Sequence, residues 1–221
     1  MNAIKPTLKT EYLPIILIIL AYVLGTYFYG HLPERVPSHW GLNGQVDGYS
    51  GKFFGAWFLP ILLLGIYLLF LVLPYFDPKK EQYINFIKAY LGVKNLIMAF
   101  LFVLYIITAL AGIGYNISIS LIMPLMVGLL FIGIGYFIKD VKQNWWMGVR
   151  TPWTMESPVV WEKTNKLMAK LMMVGGVLMG LCAIPTNDAL RISLFVTAIV
   201  IVAVVPIVYS YFAFRAEQKK K

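Results

Sequence analysis

Charged residues are scarce in this chain. Only 13% of its 221 residues are Asp, Glu, Lys or Arg, whereas 60% are apolar and the mean hydropathy is +0.75. A water-soluble protein needs far more charge on its surface, so this composition excludes a soluble globular domain and indicates a membrane protein. The net charge of +9 does not indicate nucleic-acid binding, because the basic residues stand between apolar blocks and form no basic face of a folded domain. We therefore predict no direct nucleic-acid partner.

Cysteine and histidine are also rare. The single cysteine, Cys182, excludes an internal disulfide, and its apolar surroundings in the sequence favour a packing role. The two histidines, with Glu34 and Asp47, could supply metal ligands, but their spacing matches no metal-site pattern. We therefore predict no metal site and no cofactor. The sequence contains no recognisable pair of nucleophile and general base, so we also predict no enzymatic activity.

Long apolar runs are what the sequence has in abundance. About 20 apolar residues in a helix cross the hydrocarbon core, and six segments meet that length. Residues 95–138 carry no charge and exceed one span, and glycines near their middle predict a turn between two helices. We thus predict an all-α, polytopic membrane protein with about six transmembrane helices. The predicted spans are residues 12–29, 53–76, the two halves of 95–138, 167–184 and 192–214.

Lysine and arginine are distributed unevenly between the segments that join these spans. With a cytoplasmic N-terminus, sixteen of the 19 basic residues lie inside, and only Arg35, Lys52 and Arg191 lie outside. Because basic residues resist translocation, both termini are predicted to be cytoplasmic. Two loops then have appreciable length, an outer loop (residues 30–52) and an inner loop (residues 139–166). We predict a two-helix N-terminal domain, residues 1–88, followed by a four-helix region, residues 89–221.

The outer loop is rich in turn-forming residues. Its prolines fix φ, and Asn43-Gly44 and Asp47-Gly48 are turn dipeptides. Its aromatic rings suit the level of the lipid headgroups. We predict a compact cap that binds a partner without catalysis; the alternative is that its polar side chains only satisfy backbone groups within the loop. The candidate binding residues are Pro33, Pro37, His39, Trp40, Asp47, Gly48 and Tyr49.

The inner loop contains four of the six tryptophans, mixed with lysine and arginine. Tryptophan prefers the bilayer interface and cations are attracted to anionic lipids, so this loop is predicted to lie on the membrane. Ser157 and Pro158 predict the start of a helix. Arg150 could bind a carboxylate or a phosphate, and a simple aromatic anchor is the alternative. The candidate residues are Asn144, Trp145, Gly148, Arg150, Thr151, Pro152, Trp153, Thr154, Trp161 and Thr164.

Both loops resemble the signatures of known membrane domains. Residues 32–40 (LPERVPSHW), followed by residues 47–49 (DGY), resemble the extracytoplasmic signature of a small prokaryotic domain that often precedes the SdpI region. Residues 148–154 (GVRTPWT), followed by residues 160–161 (VW) and 163–164 (KT), resemble the signature of the SdpI family itself. The two regions stand in the order that is usual in the family and together cover most of the chain.

The resemblance implies a bacteriocin-immunity protein in the plasma membrane of a prokaryote. Besides the lipid bilayer, it implies two partners: a secreted toxin peptide outside and a transcriptional repressor inside. The family pattern often continues Thr-His-Arg, whereas Asn165 and Lys166 follow Thr164 here, so any role of that histidine is absent. The alternative is a small transporter of a neutral or lipid-like substrate, because we find no Asp, Glu or Arg deep in any predicted span.

Overall fold

The computed structural model describes residues 5–41, 44–184 and 187–220. Within these ranges the chain forms seven α helices, one short 3₁₀ helix and one two-stranded antiparallel sheet. The elements in chain order are α1 (Leu8–His31), β1 (Arg35–Trp40), β2 (Val46–Gly51), α2 (Lys52–Phe76), the 3₁₀ helix (Lys80–Asn85), α3 (Ile87–Gly112), α4 (Ile119–Ile138), α5 (Pro152–Glu156), α6 (Pro158–Leu181) and α7 (Asp188–Gln218).

The predicted fold class is confirmed. Among the described residues, α1, α2, α3, α4 and α7 are each long and apolar enough to cross a membrane. The predicted break within residues 95–138 is also present, since α3 ends at Gly112 and α4 begins at Ile119. Gly114, in this turn, has a φ of +99°, a conformation that glycine adopts without steric cost. The chain is therefore a polytopic helical membrane protein.

Helix α6 corresponds to the fifth predicted span. It has 24 residues, as many as α1, but its first thirteen residues carry Glu162, Lys163, Lys166 and Lys170, and it is not among the five apolar helices. It begins at Pro158, as predicted, because Ser157 caps it: the Ser157 hydroxyl accepts a hydrogen bond from the Val160 N–H at 3.2 Å. The count of six spans and the cytoplasmic termini stay predictions.

Helix α1 begins at Leu8, four residues before the predicted span. Thr7 precedes the helix, and its N–H donates to the Thr10 hydroxyl at 3.0 Å, which fixes the start. Glu11 therefore lies within the helix and is buried. The sequence alone predicts this carboxylate just outside the first span, residues 12–29.

The chain divides into two compact units. The N-terminal unit consists of Pro6–Leu71 and Lys94–Met123, and the C-terminal unit consists mainly of Val72–Val93 and Pro124–Lys221. Helices α2, α3 and α4 each contribute residues to both units. The predicted boundary between sequence domains at residue 88 stays a prediction.

The core of the N-terminal unit is built from α1, α2, α3 and the start of β1. Gly25 allows α1 to approach α2 closely, because a Cβ there would lie 2.9 Å from Cζ3 of the Trp57 ring. Phe28 packs edge-to-face against Tyr105, with ring centroids 5.9 Å apart. The buried residues of this core are Ala21, Phe28, Leu32, Val36, Ala56, Leu63, Tyr67, Met98, Tyr105 and Ala109.

The outer loop folds into a β hairpin, which the sequence-based prediction of a turn-rich cap did not include. Strand β1 pairs antiparallel with β2, with irregular register on both sides of His39. Gly44 has a φ of +78°, as a turn requires, whereas Asn43 lies outside the described residues. The hairpin is fixed to the helices by Val36, since a Cβ on Gly55 or on Gly112 would lie 3.0 Å or less from its side chain.

The C-terminal unit depends on close contact between α4 and α6. A Cβ on Gly176 would lie 2.5 Å from the Gly128 carbonyl oxygen, so the two backbones touch where neither has a side chain. Helix α7 packs along α6 and has 31 residues, which corresponds to about 45 Å. That length exceeds a hydrocarbon core of about 30 Å, and the C-terminal end of α7 reaches α5.

Candidate functional site

The hairpin brings two of the predicted outer-loop residues into direct contact. His39 Nδ1 and Asp47 Oδ1 form a hydrogen-bonded pair, and both side chains are more than half exposed. Among the described residues no group of three or more His, Cys, Asp or Glu side chains could hold a metal ion.

Glycine is required opposite His39 in the hairpin. Gly48 faces His39 in the strand register, and a Cβ on Gly48 would lie 2.9 Å from the His39 Cβ. Gly51, at the end of β2, has no atom within 4 Å of such a Cβ. Gly48 therefore sets how closely the strands approach beside the His39–Asp47 pair.

The remaining outer-loop candidates form the rest of the hairpin surface. The Tyr49 ring is exposed, and the Arg35 guanidinium lies 5.3 Å from its centroid. Pro37 pairs with Tyr49 and is half-buried, and Trp40, at the end of β1, is also half-buried. Pro33 is exposed just after α1. The hairpin thus presents charged and aromatic groups on a short, ordered scaffold.

Asn144 organises the first part of the inner loop. It is fully buried, and its amide nitrogen donates to the carbonyls of Lys142 and Met147 at 2.8 and 3.0 Å. Its amide oxygen accepts from the N–H groups of Trp146 and Met147 at 2.8 and 2.7 Å. All of these bonds are local, so Asn144 holds the turn that carries the two adjacent tryptophans.

Asp77, which sequence reasoning missed, fixes this turn from the segment after α2. Its Oδ2 accepts from the Trp145 N–H at 2.9 Å and from the Tyr83 hydroxyl at 2.8 Å. Burial, followed by the hydrogen bond to Asp77, raises the pKa of Tyr83 well above its ordinary value, so this phenol stays a donor. A lone acidic residue directly after an apolar run, followed by proline, was the available signal.

Gly148 is the point at which the inner loop turns back onto α6. Its φ is +106°, and a Cβ there would lie 2.6 Å from Asn165 Oδ1 and 3.0 Å from the Trp161 ring. The same Asn165 oxygen accepts the Val149 N–H at 2.9 Å. The Trp161 ring is buried, and its N–H donates to the Val141 carbonyl at 2.9 Å. Asn165, which stands where the resembled family pattern often has histidine, is thus a bridge between loop and helix.

Helix α5 is fixed by a pair of threonines. The Thr151 hydroxyl accepts the Thr154 N–H at 3.2 Å, and the Thr154 hydroxyl donates to the Val149 carbonyl at 2.8 Å. Pro152, exposed, is the first residue of α5. The Trp153 ring packs against Tyr211 of α7 with centroids 5.1 Å apart. These contacts attach the inner loop to the end of α7.

Five of the ten predicted inner-loop residues are therefore buried, and four of these five hold the loop in shape through hydrogen bonds. Thr164 is fully buried as well. Trp145 and Trp146 are 51% and 39% exposed, and Arg150 is exposed with its guanidinium donating to the Trp145 carbonyl. The expected binding of an external anion by Arg150 stays a prediction. The exposed groups form a surface of two tryptophans and one arginine, which we name the Trp–Arg surface (Trp145, Trp146 and Arg150).

Comparison with known proteins gives two family matches and one curated relative. Residues 140–210 match the SdpI/YfhL protein family, and residues 16–64 match a domain of unknown function, DUF1648. The chain is 26% identical to the immunity protein SdpI of Bacillus subtilis (strain 168) over 208 residues, which cover 94% of this chain and 97% of that protein. No solved structure matches the chain. The inner-loop signature lies within the first of these matches, and the outer-loop signature lies within the second. The chain is therefore an SdpI-like integral membrane protein.

Proposed function

We propose that this chain is a membrane immunity protein that protects its cell against a secreted antimicrobial peptide. The observation that carries the proposal is the similarity to an immunity protein along nearly the whole length of both chains. The agreement includes both loops, so it is not limited to apolar helices, which resemble one another in many membrane proteins. The function is one of binding, and it requires no catalytic group.

The hairpin is the surface that we propose to meet the peptide. Val36 fixes it to Gly55 and Gly112, so the surface needs little ordering when a partner binds. The exposed His39–Asp47 pair and the Arg35–Tyr49 contact offer charged and aromatic groups to a peptide. Tyrosine and arginine are common at the centre of protein interfaces. A peptide with both apolar and charged side chains fits this surface.

We propose that the Trp–Arg surface contacts a cytoplasmic partner. The family resemblance suggests that this partner is a transcriptional repressor. Asn144 and Asp77 hold this surface in place through buried hydrogen bonds. Adjacent exposed tryptophans beside an arginine are suited to a protein interface and also to the bilayer interface.

Deletion and complementation test the proposed protection. We expect that deletion of the gene lowers survival when cells are challenged with a panel of secreted membrane-active peptides, and that the wild-type gene restores it. Gly48→Ala should complement poorly, because its Cβ would force the strands apart at His39. Gly51→Ala is the matched control, since its Cβ meets open space. Unchanged survival across the whole panel after deletion would contradict the proposal.

A further inference from the structure

Lys94 of α3 is a buried cation held by α1. Its side chain is 1% exposed, and its Nζ lies 2.6 Å from Oε2 of Glu11, whose side chain is 5% exposed. Apart from these two residues, Asp77 is the other buried charged side chain in the described ranges, and three hydrogen-bond donors satisfy it. Glu11 and Lys94 instead pair with each other across 83 positions of the chain, and the Tyr67 side chain also hydrogen-bonds to Glu11.

Pro14 explains why Lys94 binds at this place on α1. Proline has no N–H, so the Thr10 carbonyl, four residues earlier, lacks its ordinary helical donor. Lys94 Nζ lies 3.5 Å from that carbonyl oxygen and takes the place of the missing donor. The Tyr67 ring of α2 covers the same ammonium, with its centroid 5.9 Å away. Lys94 therefore holds the segment before Pro14 at two points, the Glu11 side chain and the Thr10 carbonyl.

The segments of α1 on the two sides of Pro14 are held differently. After Pro14, the helix is fixed by packing, with Ala21, Gly25 and Phe28 in the core of the N-terminal unit. Before Pro14, Leu8 and Tyr12 are exposed and Thr10 is half-buried. The contacts with Lys94 and Tyr67 are therefore the main attachment of this segment. A proline within a helix is also where a bend is most readily made.

We propose that the first turns of α1, Leu8 to Leu13, form a hinged lid that is latched over Lys94 by the charge of Glu11. A buried ion pair contributes little net stability, since apolar side chains of similar size would hold two helices as well. Loss of one of its charges leaves the other buried and unpaired, which strongly favours exposure to water. The lid opens when the negative charge of Glu11 is lost, and it turns about Pro14 while the rest of α1 stays packed.

Glu11→Gln tests the latch, because it removes the charge and keeps the size of the side chain. The purified full-length chain is treated with a water-soluble amine-acylating reagent, and modification of each lysine is followed by mass spectrometry. In the wild-type chain, Lys94 should react far more slowly than the exposed Lys163. Glu11→Gln should raise the Lys94 rate about tenfold or more, as for a local opening that has become easier by about 1.4 kcal/mol.

Glu162→Gln is the matched control. Glu162 also pairs with a lysine at 2.6 Å, but both side chains are more than half exposed, so its loss should leave the Lys94 rate unchanged. Hydrogen exchange separates a lid from general loosening. The N–H groups of residues 15–17 donate to the carbonyls of residues 11–13, so these are the helical hydrogen bonds that cross the hinge. In Glu11→Gln, exchange should rise at residues 15–17 and stay unchanged at residues 18–31. An unchanged Lys94 rate, or faster exchange along all of α1, would overturn the proposal.

Pro14→Ala tests the hinge without removing a charge, and it serves if Glu11→Gln does not fold. Alanine returns the N–H that the Thr10 carbonyl lacks and makes the helix continuous through this point. The lid then moves only with the rest of α1, so Lys94 should react more slowly than in the wild-type chain. An equal or faster Lys94 rate in a folded Pro14→Ala chain would show that no hinge exists there.

Discussion

Thr151 and Ser210 touch through their hydroxyl oxygens, 3.0 Å apart, although 59 positions separate them in the chain. Both residues are buried. Thr151 caps α5, and Ser210 lies in the last third of α7 and also donates to the Ile207 carbonyl at 2.6 Å. The contact joins the family signature in the inner loop to the end of the last helix. The contact also attaches α5, which has only five residues, to the much longer α7.

A double-mutant cycle on this contact should give a coupling energy of about 1 kcal/mol. Thr151→Val should destabilise the chain more than Ser210→Ala, because it also removes the cap of α5, a loss of about 1 kcal/mol. The free energy of unfolding, measured on the purified chain in detergent for the two single variants and the double variant, provides the test. Strictly additive losses would contradict the contact.

Asn165→Ala should be among the more destabilising changes in the inner loop. The side chain accepts from the Val149 N–H at 2.9 Å and donates to the Trp161 carbonyl at 3.0 Å. Its removal leaves a buried N–H without a partner, which costs about 1–3 kcal/mol. Thermal melting should show a clear decrease for Asn165→Ala and almost none for Lys166→Ala, the exposed neighbour. Equal melting temperatures would exclude this bridging role.

The long helices could be predicted from the sequence because an uncharged apolar run in a bilayer has to satisfy its backbone internally. The hairpin could not, since its strands are short and polar and one contains Pro37, which usually argues against a strand. The roles of Asp77 and Asn165 were also out of reach. Their partners, Trp145 and Val149, lie 68 and 16 positions away, so only the folded chain brings them together.

Gly128→Ala should destabilise the C-terminal unit by about 1–3 kcal/mol, the usual cost of overpacking. The new Cβ would collide with the Gly176 carbonyl oxygen and lie 3.0 Å from the Gly180 nitrogen, and backbone atoms cannot move aside as side chains do. Gly180→Ala is the control, because its Cβ would lie 3.9 Å from its nearest neighbour, Leu125. Thermal melting of both variants provides the test. A similar melting temperature for the two variants would mean that α4 and α6 are not in contact at Gly128.

Arg150→Ala should impair protection more than Lys142→Ala, although both remove one exposed positive charge from the same loop. The Arg150 guanidinium donates to the Trp145 carbonyl. Loss of Arg150 therefore removes a hydrogen bond that holds the Trp–Arg surface in place as well as a positive charge.

The expected difference in survival is about tenfold, since one charge-assisted hydrogen bond contributes about 1.5 kcal/mol. Survival in the peptide challenge is compared at matched membrane levels of the two variants. A role of the loop as a non-specific cationic anchor would make both losses equal, because the two residues would then contribute only their charge to the attraction of anionic lipids. Equal survival of the two variants would therefore show that the Trp–Arg surface acts only as a membrane anchor.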